Sequence, residues 1–421
     1  MKNANVPSMD TDSLVVGFIP LLDCAPLVAA AEKGFAAAEG VDLKLVRETS
    51  WANIRDRIIV GHFHAAHMLG PMAVASSLGI GHLKVPMMAP FSLGLGGNAI
   101  TVSNAVWQQM LLEGAASAAA PGIQGAALKR VVQTRARAQL APLTLGMVYP
   151  FSCHNYELRY WLAACGIDPD RDVRLVVIPP PFLVDAMREG QIDGFCVGDP
   201  WNSLAVEAGV GTIVATGSDI WRLCPEKVLG CRADWAENHP AELDALLRAV
   251  HAAAQWCEAD EHHLELAQLL AEPRYVGVPA NVLLRGLDQR LQLAAHEAPR
   301  HMENFYTPAR HAATFPWSSH ALWFYTQMVR WGQVAFSVQD FCAAYETYRP
   351  DIYRRALESL DINVPAADVK DEGAFNERSV LPGVHGPLSY GPDGFFDGRP
   401  FSATDLMQHV EAGAFPIVVA R

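Results

Sequence analysis

The chain lacks the marks of export and of a membrane span. Its first residues, Met1 to Asp12, are short and polar, without the basic start, apolar run and small-residue cleavage site of a secretory leader. No apolar run approaches the roughly 18 residues that cross a bilayer, so no membrane attachment is expected. Positive charge is scarce: 32 Lys and Arg stand against 45 Asp and Glu, a formal net charge of -13. Clustered cations hold nucleic-acid phosphates, so direct nucleic-acid binding is disfavoured, and a small anion must be held by local donors against the overall field. The eight cysteines, Cys24, Cys153, Cys165, Cys196, Cys224, Cys231, Cys257 and Cys342, show no CxxC spacing. Buried reduced thiols and a cytoplasmic setting are therefore expected. GxSxG, Walker A and a GxGxxG at a strand-helix junction are also missing, which leaves hydrolase, nucleotide and dinucleotide chemistry without support. Neither a catalytic residue nor a cofactor is expected.

What is present is a long, well-buried α/β chain. At 421 residues and 51% hydrophobic composition it exceeds a single core, which stops growing near roughly 250–300 residues, so two lobes are expected. Leu14 to Phe18, an Ala-rich helix over Ala25 to Glu39 and the strand Val41 to Val46 make a βαβ unit. Ser50 is placed to cap a helix from Trp51 to Val60. A second α/β stretch runs through Leu143 to Val148, a helix over Cys153 to Ala164, and the strands Val173 to Ile178, Phe195 to Val197 and Gly211 to Ala215. Beyond about Pro240 the periodicity becomes that of long helices, at Ala241 to Cys257, His320 to Gly332 and Val338 to Leu357. Residues 376–401, rich in Gly, Pro and aromatics, suggest an irregular wrap. The expected organisation is a first lobe over 13–103, a second over 104–216, a return to the first with helices over 217–300, and C-terminal helices with the wrap over 301–421. The Ala-rich stretch 114–141, with Lys129, Arg130, Arg135 and Arg137, is read as helical with no assigned role.

Several residues have anion-binding character. Trp51 opens a helix just after a strand, where free N–H groups and the helix dipole favour an anion, and its indole donates without accepting. His154 also opens a helix after a strand, the position at which ligands gather in open α/β sheets; it donates from one ring nitrogen, or from both if protonated. Lys227 follows a Pro turn. Gly198, in Gly198-Asp199-Pro200-Trp201, permits close approach of backbone to a ligand. Taken singly, each also fits an ordinary structural role: a buried indole, a capping histidine, a solvated lysine, a strand-to-helix corner. His62, His64 and His67 have neither helical HExxH nor Cys/His zinc spacing, so no metal is expected.

Taken in order, GFIPLLDCAPLVAAAEKGFAAAEGVDL, SWANIRDRI, AAHMLGPM, GGNAITVS, RYWLAACGIDPDRDV, GDPW, PEKVLGCRADW and FFDG resemble the nitrate- and bicarbonate-binding proteins of ABC importers. The resemblance implies a type II periplasmic-binding-protein-like fold, two α/β lobes with a cleft and a helical C-terminal extension. It places nitrate on Trp51, Asn98, His154, the backbone at Gly198, and Lys227. An acidic residue with a metal ion is expected at the Lys227 position of bicarbonate-binding relatives, so the lysine favours nitrate or nitrite. Among family members without a leader, the chain is similar to the NasS-type cytoplasmic nitrate/nitrite sensors. That similarity implies a partner, a NasT-type RNA-binding antiterminator of nitrate-assimilation genes, released when nitrate binds. Two other readings stand beside it: the solute-binding component of a nitrate importer, and an enzyme on the same fold such as a thiamine-pyrimidine synthase.

Overall fold

A computed structural model describes residues 13–81 and 83–411. Ten strands form two five-stranded sheets: β1 (Ser13–Phe18), β2 (Asp42–Arg47), β3 (Ala65–Leu69), β4 (Met87–Ser92), β5 (Asn98–Ser103), β6 (Leu143–Met147), β7 (Val173–Val177), β8 (Gly194–Gly198), β9 (Gly211–Thr216) and β10 (Lys227–Arg232). The first sheet has the order β2-β1-β3-β10-β4 and the second β9-β5-β8-β6-β7. In the first, β1 runs parallel to β2 and β3, whereas β10 lies antiparallel to β3 and β4. In the second, β8 and β7 run parallel to β6, and β5 is antiparallel to both β8 and β9.

The expected first-lobe segment 13–103 ends too late. β5 pairs with β8 and β9, so the chain has already crossed to the second sheet at Asn98, and it crosses back between Thr216 and Lys227. Residues 217–300 are likewise divided. Ile213 N–H donates to Leu293 O at 2.8 Å and Arg285 pairs with Glu207 at 2.5 Å, which draws that stretch onto the second lobe.

The helices follow from local chemistry. They include α1 (Ala25–Glu32), α2 (Trp51–Ile59), α3 (Gly70–Leu78), α4 (Pro121–Arg137), α5 (Cys153–Ala164), α6 (Pro240–Glu258), α7 (Ser318–Arg330), α8 (Val338–Thr347) and α9 (Pro350–Leu357). The helix expected over Ala25 to Glu39 breaks after Glu32, where Gly34 takes a positive φ of 83°. That expected over Val338 to Leu357 divides at Pro350, whose ring cannot continue the ladder and instead opens α9. α7 and α8 pack on α3, and α6 packs on α1 and α9, so the C-terminal helices belong to the first lobe. Among the described residues no helix is long and apolar enough to cross a membrane.

The segment expected to be an irregular wrap contains a hairpin, Ser379–Gly383 with Gly386–Tyr390. It is anchored by a buried charge cluster. Lys370 Nζ bonds Glu372 and reaches Asp393 Oδ2 at 3.1 Å, and Ser319 on α7 donates to Glu372 Oε1 at 2.6 Å. Burial pushes the Glu372 carboxyl up, yet Lys370 and His320 outweigh it and hold it at about 2. Its stabilising contribution is therefore present above the ordinary carboxylate value and lost as pH falls through about 2. Lys370→Met leaves two buried carboxylates uncompensated and is expected to cost about 3–5 kcal/mol, read as a lower denaturation midpoint with an unchanged denaturant slope.

Candidate functional site

The expected site residues come together where the lobes meet. β1 and β3 deliver their C-terminal ends to one side and β8 delivers its end to the other, the usual ligand position in open α/β sheets. Two helices open there with the same device. Ser50 accepts from Asn53 N–H at 3.2 Å and Ser152 from Asn155 N–H at 3.1 Å, so each Ser-x-x-Asn cap starts a helix whose first turn carries Trp51 or His154.

The register of β5 on β8 sets Asn98 opposite Gly198. A methyl group built on Gly198 would lie 3.5 Å from Asn98 Oδ1 and 3.7 Å from His154 Nε2, so the glycine keeps open the space between those two side chains. Trp51 packs edge-on to His67 with ring centres 5.4 Å apart, and Lys227 Nζ lies 5.9 Å from the Trp51 ring centre. Trp51 Nε1 and both ring nitrogens of His154 are buried and have no hydrogen-bond partner among the described residues. Buried donors without partners are uncommon because each costs its desolvation.

Lys227 departs from the expected role of a cation held in reserve for the ligand. It is fully buried, donates to Asp23 Oδ2 at 2.7 Å, and bonds the carboxylate of its own neighbour Glu226. Burial works against its charge, but Asp23 and Glu226 outweigh that and push its pKa up, so it is an ammonium already matched by carboxylates. Burial likewise pushes Asp23 up, and Lys227 and His67 together hold it well below the ordinary range. His67 accepts from Ile19 N–H at Nδ1 (3.4 Å), which leaves the proton on Nε2, 3.1 Å from Asp23 Oδ1 though off the hydrogen-bond axis.

Asn98 also differs from expectation. Its amide Nδ2 donates to Glu157 Oε2 at 3.0 Å and to Glu226 Oε1, so both amide protons are spent and Oδ1, an acceptor, faces the space beside Gly198. His154 is neutral: burial, with Lys227 adding to it, holds its pKa well below the imidazole range, so it offers one donor and not two. The arrangement contains no activated nucleophile. Burial pushes the thiols of Cys153, Cys196 and Cys224 well up, and Lys227 is held protonated.

The three neighbouring histidines part company. His67 joins the site, while His64 accepts from Val15 N–H at 2.9 Å and packs near Trp235. Among the described residues no group of three or more His, Cys, Asp or Glu is placed to hold a metal ion. The cysteines are all without disulfides, but Cys342 is exposed and Cys165 half-buried, against the expectation that all would be buried.

Sequence reasoning passed over Asp23, Glu157 and Glu226. Glu157 stands three residues after His154, on the same face of α5. Asp23 follows β1 in the turn before α1. Glu226 adjoins Lys227. Only Glu157 carries a local signal, its spacing from His154; Asp23 and Glu226 carry none.

Comparison with known proteins identifies the fold and the family. The NMT1-like family matches residues 8–271. The chain superposes on the crystal structure of the periplasmic nitrate-binding protein NrtA from Synechocystis PCC 6803 with a TM-score of 0.81, covering 95% of this chain and 98% of that one at 28% identity. It is 30% identical over 406 residues to the bicarbonate-binding protein CmpA of Synechococcus elongatus, 93% of this chain and 86% of CmpA. To the nitrate import ATP-binding protein NrtC of Synechocystis it is 38% identical over 387 residues, 90% of this chain but 54% of NrtC, so it spans about half the length of that relative. Two α/β lobes joined by two crossovers define a periplasmic-binding-protein fold. Within that fold, the chain belongs to the NMT1-like family, among the nitrate- and bicarbonate-binding proteins of the NrtA and CmpA kind.

Removing the ammonium exposes its worth. Lys227→Met leaves Asp23 and Glu226 buried without a cation and is expected to cost about 3–5 kcal/mol, with Asp23→Asn in the same chain recovering part of the loss. Thermal or denaturant midpoints of the two variants measure this. Because the Asp23 pKa is depressed, its stabilising contribution in the wild type is present above the ordinary carboxylate value and fades as pH drops below it.

Proposed function

We propose that the chain binds nitrate or nitrite between its lobes and acts as a cytoplasmic sensor, releasing a NasT-type antiterminator when the anion closes the cleft. The observation that carries the anion reading is that the Trp51 indole N–H and the His154 imidazole are both buried without partners among the described residues, the first beside Lys227 and the second beside the space that Gly198 keeps open. Nitrate is planar and spreads one charge over three acceptor oxygens, so it takes convergent donors in a desolvated site, where such bonds are strongest. The similarity to NrtA supports this choice.

Two observations support a cytoplasmic location. Eight cysteines stand without a disulfide, as suits a reducing compartment. Chains of this type also occur within proteins named as ATP-binding, and ATP is available on the cytoplasmic side of a membrane. Release of a partner follows if that partner bridges both lobes in the open state, because closure then displaces one of its two footholds.

A second ligand, bicarbonate, is favoured by one detail. Asn98 presents Oδ1, an acceptor, beside His154; bicarbonate has a hydroxyl to donate there and nitrate has none. Relatedness to CmpA fits the same choice.

Calorimetry with nitrate, nitrite and bicarbonate separates these readings. Trp51→Phe and His154→Leu should each weaken nitrate about 10- to 100-fold, matching about 1.5–3 kcal/mol for a hydrogen bond to a charged group. Gly198→Ala should weaken binding while the melting temperature holds, because the methyl group fits the space but occupies it. Tight bicarbonate binding with no nitrate binding would reverse the ligand assignment.

The sensor role has its own test. Saturating nitrate should dissociate the complex with the antiterminator on size exclusion, and by linkage the partner must weaken nitrate binding by the same factor. A complex indifferent to nitrate leaves the importer component as the better reading.

A further inference from the structure

The charge balance of the site does not close for a bound monoanion. Three buried carboxyls, Asp23, Glu157 and Glu226, surround a single buried ammonium, Lys227. Asn98 Nδ2 ties two of them together, donating to Glu157 Oε2 at 3.0 Å and to Glu226 Oε1. Two carboxylates on one amide nitrogen, out of reach of water, cannot both ionise cheaply. Lys227 is spent between Asp23 and Glu226. An anion entering between His154 and Lys227 thus meets a neutral imidazole and an ammonium that already belongs to two carboxylates, with the Trp51 ring 5.9 Å from that ammonium.

We propose that anion capture is coupled to protonation of Glu226, which loosens its hold on Lys227 and frees the ammonium for the anion. The inference rests on the anion-binding reading above. One proton passes from water to the Glu226 carboxylate for each anion bound, and one Lys227 N–H turns from Glu226 to the ligand. Lys227 then becomes the compensating cation, and the added negative charge is offset where it falls.

The surroundings leave Glu226 and Glu157 as the groups to take that proton. Facing them are Asp23 from the turn after β1, Cys153 from α5, Cys196 from β8, Cys224 and Lys227 around the second crossover, and Tyr348 at the end of α8, with His67 from β3 and His154 from α5 beside Asp23 and Lys227. Burial holds the thiols and the tyrosine well up and both histidines down, so all of these are neutral near pH 7. Burial, with the charge of Glu226 added, raises Glu157 to about 8, so it enters as a neutral acid. Burial raises Glu226 too, with Lys227 opposing and Asp23 adding, so its proton affinity responds to any further negative charge nearby.

The test is nitrate calorimetry on the full chain from pH 6 to 8.5, in pairs of buffers with different ionisation enthalpies. About one proton should be taken up per nitrate, and affinity should rise by up to about tenfold for each unit of falling pH. Glu226→Gln should bind nitrate with no proton uptake and a flat pH profile. Binding without proton uptake in the wild type would overturn the coupling and leave the anion-binding reading intact, and uptake that persists in Glu226→Gln would overturn the assignment to Glu226. If nitrate, nitrite and bicarbonate all fail to bind at every pH, the anion reading falls and the coupling falls with it. Infrared spectroscopy adds a readout that needs no ligand: a neutral carboxyl band at pH 7 that Glu157→Gln removes supports the neutral Glu157 on which the assignment of the proton to Glu226 depends, and a wild type without that band overturns it.

Discussion

A single buried ammonium, shared among carboxyls, is the constraint on which the rest of this molecule depends. Lys227 opens β10, and from it bonds run to Asp23 after β1, to Glu226 in the second crossover, onward through Asn98 at the start of β5, and finally to Glu157 on α5. That chain starts in the first lobe and ends in the second. Buried charges tolerate little displacement, because losing one partner leaves the other in low dielectric without compensation. The network therefore sets where the turn before α1, the two crossovers and the N-terminal end of α5 lie relative to one another. Trp51, His154 and Gly198 are placed as a consequence.

The network also sits where the lobes are joined. The two crossover segments are laced together, with Leu93 N–H donating to Lys227 O at 2.8 Å and Gly96 N–H to Cys224 O at 2.9 Å. Gly96 is required there: its φ is 73°, and a methyl group would lie 2.3 Å from Phe305 O. A change in protonation at Glu226 is thus felt directly on the segments that join the lobes. In the sensor proposed above, no long relay is needed between the site and the joint.

Much of the architecture was legible in the sequence, for local reasons. β-rich runs, glycine stops and serine caps located the strands and the helix starts, and α5 falls at Cys153–Ala164 as its pattern suggested. The error at residues 98–103 came from topology: a strand's composition does not say which sheet it joins, and Asn98–Ser103 has the same apolar character as the strands before it. The candidate site was legible as a set of donors because Trp51, His154, Gly198 and Lys227 carry motif neighbours. Its carboxylates were not. Glu226 and Glu157 look like ordinary acidic residues until tertiary packing removes them from water, and the burial that makes them matter is a property of the fold and not of any short segment.

The second buried charge cluster bears on how far the lobes can part. From Lys370, Glu372 and Asp393, held on α7 in the first lobe, the chain continues to Phe395, which stacks on Trp221 at 4.5 Å between ring centres, and to Asp397, which accepts from Tyr160 of α5 at 2.9 Å. Phe396 N–H also donates to Ile220 O at 2.9 Å. The C-terminal segment is therefore a strap from the first lobe, across the second crossover, to the same helix that carries His154. A wide hinge opening would have to break the Tyr160–Asp397 bond and unstack Phe395, exposing aromatic surface to water. Opening that keeps the strap in place must be small, or must pivot about it. In either case Glu226 and Asn98 lie beside the crossovers about which such an opening would turn.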